Sequence, residues 1–216
     1  MFTECLVCIV SDGGFVVAQR GTLDGNPDGV GELIWNFLRS QRNIEHLKEG
    51  LKLIYTPTDD ELDHMVGEAT KLAVEGGLRG VLEGNFADVY SYSSSPFVKR
   101  CPSLTDHCGG RILDVIAQVE RPTNKSRVPI ITELGFINSP DCSWAYVVDL
   151  DTNVFEVFSE SQSKEETNCE RFKLVGYPED PVLRLLVTFD LFNLPINAKD
   201  FHEQILDGLD TLEEPN

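Results

Sequence analysis

The sequence predicts an α+β fold: a single domain in which two β-hairpins contribute to a mainly antiparallel sheet packed by three to five helices. Three observations carry this. Two pairs of apolar, β-prone runs are each split by a short turn rich in Asp, Gly or Asn, the pattern of hairpins. Amphipathic stretches with helical start and stop signals lie between and after them. The length, 216 residues, suits one domain. The expected boundaries are 1–209 for the domain and 210–216 for an acidic flexible tail.

The first hairpin is read at Leu6–Val10, Ser11-Asp-Gly-Gly14 and Phe15–Gln19. A loop with four glycines follows, Arg20 to Gly31, and a helix begins at Glu32 with Leu33, Ile34, Phe37 and Leu38 on one face. Residues 43–55 start helical and allow a strand at Leu51–Tyr55. Thr58-Asp-Asp-Glu61 is a capping box, opening a helix that Gly76-Gly77 should stop. Residues 78–96 read as irregular. Thr105 is expected to cap a helix from Asp106 to about Val119, and 121–129 to form a polar surface loop. The second hairpin spans Trp144–Leu150 and Val154–Phe158 around Asp151-Thr-Asn153. The polar stretch 159–170 follows. Residues 182–189 suit strand or helix, and Phe201–Leu209 a short amphipathic helix.

A composition of 41% hydrophobic and 25% charged residues excludes a disordered, collagen-like or disulfide-scaffold chain. The net charge of −18 repels nucleic acid and anionic membrane, so neither is an expected partner. No stretch approaches the ~18 apolar residues of a transmembrane helix. The start, Met1-Phe2-Thr3-Glu4-Cys5, lacks the basic region of a signal peptide. A cytoplasmic location and reduced thiols are the corresponding expectations. Cys5 and Cys8 form a C-x-x-C, but inside an apolar β-like run, where positions i and i+3 point to opposite faces. They read as buried structural thiols. No cofactor and no zinc site are expected.

Three corners could carry chemistry. The first is the loop Asp24-Gly25-x-Pro27-x-Gly29-x-Gly31 at a helix start. Unpaired N–H groups and the helix dipole would favour a phosphate or carboxylate there, with Arg20 adding a charge-assisted contact. The second is Thr105-Asp-His-Cys-Gly-Gly110. A thiol in the first turn of a helix has a lowered pKa, which makes Cys108 the candidate nucleophile, His107 or His64 its base, and Gly109 part of a second anion-binding turn. The third is Asp149 and Asp151, placed by alternation on one strand face, a weak candidate for metal binding or acid–base work. The bland readings are a tight turn, a capped helix and a solvated β-turn.

The segment Ala18-Gln-Arg-Gly-Thr-Leu-Asp-Gly-Asn-Pro-Asp-Gly-Val-Gly31 resembles the A-Q-Y-G-Q-W-D-G-Y-P-x-G-Q-G loop of an uncharacterised family of small proteins from bacteriophages, bacteria and fungi. Gln19, Gly21, Asp24, Gly25, Pro27, Gly29 and Gly31 match; the family's aromatic positions are Arg20, Leu23 and Asn26 here. Leu104–Leu113 is similar to that family's L-S-R-D-x-G-A-x-I-L helix, and Ser143–Phe158 to its W-x-Y-V-I-D-L-D hairpin. The resemblance implies one α+β domain and brings no activity that can be carried over. A shorter pattern, Cys5, Asp12-Gly13, Arg20 and Asp24, is similar to N-terminal-nucleophile amidases, whose chemistry would need a free amine on Cys5.

The leading expectation is therefore a module that binds a small anionic, nucleotide-like ligand at glycine-rich helix starts, with no reaction assigned. The alternatives are an acidic interaction or inhibitor protein acting on a basic partner surface, and a thiol-dependent hydrolase.

Overall fold

The computed structural model describes residues 3–75, 96–118, 127–160, 170–173 and 183–210. The Gly76-Gly77 stop, nearly all of the 78–96 stretch, residues 121–126, residues 161–169 with Cys169, and the tail 211–216 lie outside them.

Apolar alternation and two turns build the sheet. β1 (Glu4–Ser11) and β2 (Gly14–Gly21) pair antiparallel around Asp12 and Gly13, both with positive φ, as a two-residue hairpin turn requires. β5 (Cys142–Asp149) and β6 (Val154–Glu160) form the second hairpin. The ambiguous stretch near 182–189 is a strand, β7 (Leu183–Asp190), antiparallel to β6. The five strands run in the order β2-β1-β5-β6-β7, and β1 lies parallel to β5. Predominantly antiparallel pairing is thus present, with one parallel pair at the centre. β1 is buried along Cys5–Val10, which explains its unbroken apolar run.

The ends of the hairpins are tied together. Asp151 accepts the N–H groups of Asp12 (3.0 Å) and Gly13 (2.8 Å). Leu150 N–H donates to the Val10 carbonyl at 3.0 Å.

One sheet face is covered by helices. α1 (Glu32–Leu38) follows a π-turn at Pro27–Gly31, and α2 (Gln41–Leu51) is capped by Ser40. Chain 54–55 and 128–129 form the short parallel pair β3 and β4. α3 (Asp59–Glu75) opens on the expected capping box, with Thr58 and Glu61 bonded reciprocally. The single-turn α4 (Pro96–Arg100) precedes α5 (Ile112–Ala117). After the one-turn α6 (Glu170–Lys173), α7 (Ala198–Asp210) closes the chain's described part, capped by Asn197. The larger core includes Cys5, Val7 and Ile9 with Ile34, Trp35, Leu47, Ile112 and Phe201; the smaller, on the other face, includes Leu6, Cys8, Val147, Phe158 and Phe172. Cys5 and Cys8 therefore do face opposite ways. They, Cys101, Cys108 and Cys142 are buried free thiols.

Two helix readings need correction. In α1 it is Trp35, not Leu33, that joins the core: Trp35 is 2% exposed and Leu33 44%. Trp35 stacks on Phe201 at 5.5 Å and its indole N–H donates to the Pro195 carbonyl at 3.1 Å, so α7 draws it inward. The helix expected from Asp106 to Val119 is replaced by 3₁₀ turns at Pro102–Leu104 and Gly109–Arg111 before α5. Thr105 does not cap it. Its hydroxyl donates back to the Pro102 carbonyl at 2.9 Å, and Gly109 takes φ +45°, outside the right-handed helix.

Among the described residues no helix is long and apolar enough to cross a membrane.

Candidate functional site

The two glycine-rich corners meet in space. Thr22 N–H donates to the Asp106 carbonyl at 3.1 Å. A Cβ on Gly21 would lie 3.2 Å from Gly109 Cα, and one on Gly110 would lie 3.1 Å from the Val30 carbonyl. Buried Gln19 reaches across with its amide, donating to the Thr105 carbonyl at 3.1 Å. The second hairpin underpins the same loop: Tyr146 donates its hydroxyl to the Gly25 carbonyl at 2.8 Å, and its ring lies 3.1 Å from where a Cβ of Gly31 would stand. The 18–31 block thus packs against both 104–113 and 143–158.

Between the loop and the 107–111 turn lies a cleft of about 590 Å³. Its lining includes the acidic residues Asp24, Asp28 and Glu32, the apolar residues Leu23, Leu33 and Val98, and His107, Cys108 and Arg111; Glu32 Oε2 also lies 3.5 Å from His202 Nε2. Gly29, Val30, Asn36, Gly109 and Gly110 complete it.

Four of the N–H groups between Asp24 and Gly31 are spent within the protein. Gly25 N–H donates to Thr3 O (3.0 Å), Gly29 to Asn26 O (3.0 Å), Val30 to Asp24 O (2.8 Å) and Gly31 to Asn26 O (3.3 Å). The glycines serve close approach: a Cβ on Gly29 would stand 2.2 Å from the Asp24 carbonyl oxygen, and one on Gly25 2.6 Å from the Thr3 carbonyl oxygen. Asp24 itself adopts φ +49°. The anion cradle expected at 24–31 is therefore corrected for Gly25, Gly29 and Gly31, whose N–H groups are taken, and Asp24, Asp28 and Glu32 line the space beside them. Arg20 is likewise elsewhere. Its guanidinium makes a two-pronged pair with Glu4, both bonds 2.9 Å, and sits 4.6 Å over the Phe136 ring.

Cys108 does not have the lowered pKa expected of it. It precedes a three-residue 3₁₀ turn instead of opening an α-helix, and burial pushes its thiol up to about 12, against a weaker pull from Arg111. Burial also raises Cys5 far above the ordinary thiol range, inside β1. Neither thiol is held as a thiolate. His107 Nε2 lies 4.0 Å from Asp106 Oδ1, and His64 is exposed on α3.

Asp149 and Asp151 do not share a strand face, because β5 ends at Asp149 and Asp151 lies in the turn. Asp149 Oδ1 accepts the N–H groups of Asp151 and Thr152, both at 2.9 Å, and its Oδ2 accepts from Arg171 at 2.8 Å. Asp151 holds the first hairpin's turn, as described. Both carboxylates thus have structural partners.

Sequence reasoning missed Asp28, Glu32, Leu33 and Arg111 as cleft residues. A signal was present: Glu32 and Asn36 stand four apart on α1 and share a stripe, and both line the cleft.

No protein-family model matches the chain, and neither a curated protein nor a solved structure does.

Proposed function

We propose that this chain is a binding module for a small organic molecule carrying an amine or guanidinium group, taken up in the cleft between the 22–36 segment and the 107–111 turn. The single observation behind this reading is the lining: Asp24, Asp28 and Glu32 stand beside the apolar surface of Leu23, Leu33 and Val98 in a concave site of about 590 Å³. Such a volume lies in the range of small-ligand sites, where a few polar groups orient an apolar body. The carboxylates would pair with a ligand cation, and partial enclosure strengthens the pairing over its value in water. Arg111 and His107, in the same lining, would suit a carboxylate or hydroxyl at the ligand's other end. The reading keeps the small-ligand module expected from the sequence and reverses the sign of the ligand. No reaction is assigned, since the cleft's one thiol is buried and protonated at neutral pH.

Isothermal titration calorimetry against matched arylalkyl amines, carboxylates and phosphates tests it. The amines should bind, and Asp24→Asn, Asp28→Asn and Glu32→Gln combined should weaken them at least about tenfold without altering the melting temperature by much. Asparagine tolerates the positive φ of position 24. Binding of the anions alone, or amine binding that survives the triple variant, would overturn the reading.

A further inference from the structure

A second cleft, of about 480 Å³, lies between the β3–β4 pair and the 100–103 segment. Its charged lining is opposite to the first. Arg100 and Arg127 contribute to it, and among the described residues no carboxylate does, in a chain whose net charge is −18. We infer that this cleft binds the oxyanion, phosphate or carboxylate, of a small ligand with an aromatic or apolar body.

The walls are ordered by their own hydrogen bonds. Val128 N–H donates to Leu53 O at 3.0 Å, and Ile130 N–H to Tyr55 O at 2.8 Å. Ser103 ties the third wall by donating its hydroxyl to the Pro129 carbonyl at 2.7 Å. The Arg127 guanidinium lies 4.2 Å from the centre of the Tyr55 ring, which orients the fork while leaving its edge N–H groups to donate. Among the described residues neither Arg100 nor Arg127 forms an ion pair. Two carboxylates of α3 act on this region, Glu61 on Tyr55 and Glu68 on Arg100, and both also have other partners. Glu61 caps its own helix by accepting from Thr58, and Glu68 pairs with Lys71 at 2.8 Å. Two planar guanidinium groups match the oxygens of phosphate or carboxylate through parallel N–H donors, a geometry that lysine does not offer. Tyr55, Met65 and Val115 supply apolar surface for the rest of the ligand.

The test is a titration of the full chain, labelled with ¹⁵N, followed by amide chemical shifts. Phenyl phosphate and phenylacetate are the two anionic probes, benzylamine the cationic control, and sodium chloride the ionic-strength control. The expected result is saturable shifts at the amides of Cys101, Ser103, Val128 and Ile130 with one or both anions. The stronger of the two identifies the oxyanion. Arg100→Gln with Arg127→Gln should weaken that binding at least about tenfold, with the spectrum elsewhere unchanged. Arg127→Lys, which keeps the charge and loses the fork, should fall between. Shifts that never saturate, that sodium chloride reproduces, or that persist in the double variant would overturn the inference. So would equal shifts at these amides from benzylamine.

Discussion

Gly29 illustrates how much of the 20–31 loop is settled by single atoms. Its missing side chain lets the chain pass the Asp24 carbonyl, where a Cβ would be 2.2 Å from the oxygen. Backbone is what it would strike, so relief requires moving the loop. Gly29→Ala should destabilise the fold by about 1–3 kcal/mol, the usual cost of overpacking, read from urea denaturation; an unchanged midpoint would mean the loop is looser than described. This also makes substitution of Gly29 a poor probe of binding, and the carboxylate variants a better one. The glycines were visible in the sequence as a candidate site. That they make room for close backbone and ring contacts was not visible, because Thr3 and Tyr146 approach them from elsewhere in the chain and Asp24 only through the fold of the loop.

Among the elements, the β5–β6 hairpin and α6 depend on one cation. Arg171 donates to Asp149 Oδ2 at 2.8 Å and to Glu156 Oε1 at 2.9 Å, while the neighbouring Phe172 packs on Phe15 and Phe158. The Asp149 side chain is 4% exposed and that of Glu156 12%. Arg171→Ala would leave two largely buried carboxylates without their partner, a loss on the order of 3 kcal/mol in thermal or urea unfolding. The pH dependence follows from Asp149. Burial pushes its carboxyl up, but the N–H groups of Thr152 and Asp151 and the Arg171 guanidinium outweigh that and hold it below the usual range. A carboxyl lowered in the folded state favours the fold fully above its unfolded pKa, about 4, and this contribution is lost as pH falls through the lower folded value. The stability gap between the wild type and Asp149→Asn should therefore be full above pH about 4 and narrow as pH falls below it; a gap that does not change with pH would remove Asp149 from the acid response. The hairpins themselves were readable, since period-two alternation around an Asp/Gly or Asp/Asn turn is a local signal. The supposed 106–119 helix was not, because Thr105 bonds backwards and Gly109 turns left-handed.

For the whole molecule, charge sets the response to salt. A net charge of −18 places like charges over the compact surface, and their mutual repulsion works against folding. Raising sodium chloride from roughly 0.01 M to roughly 1 M shortens the screening length from about 30 Å to about 3 Å. The melting temperature should rise across that range. A flat response would mean that the local pairs already compensate the excess. Composition alone sufficed for this expectation, as it did for a folded chain, and local patterning sufficed for the hairpins, the α3 cap and the opposed faces of Cys5 and Cys8. These properties depend on residue counts or on neighbours a few positions apart. Other outcomes required the chain to come together: the parallel seating of β1 on β5, the capture of Trp35 by Phe201 and Pro195, the pairing of Arg20 with Glu4, and the meeting of the two glycine-rich corners around carboxylates. Each joins residues far apart in sequence or turns on which side of an element ends up covered, and neither is encoded in the periodicity of a single segment.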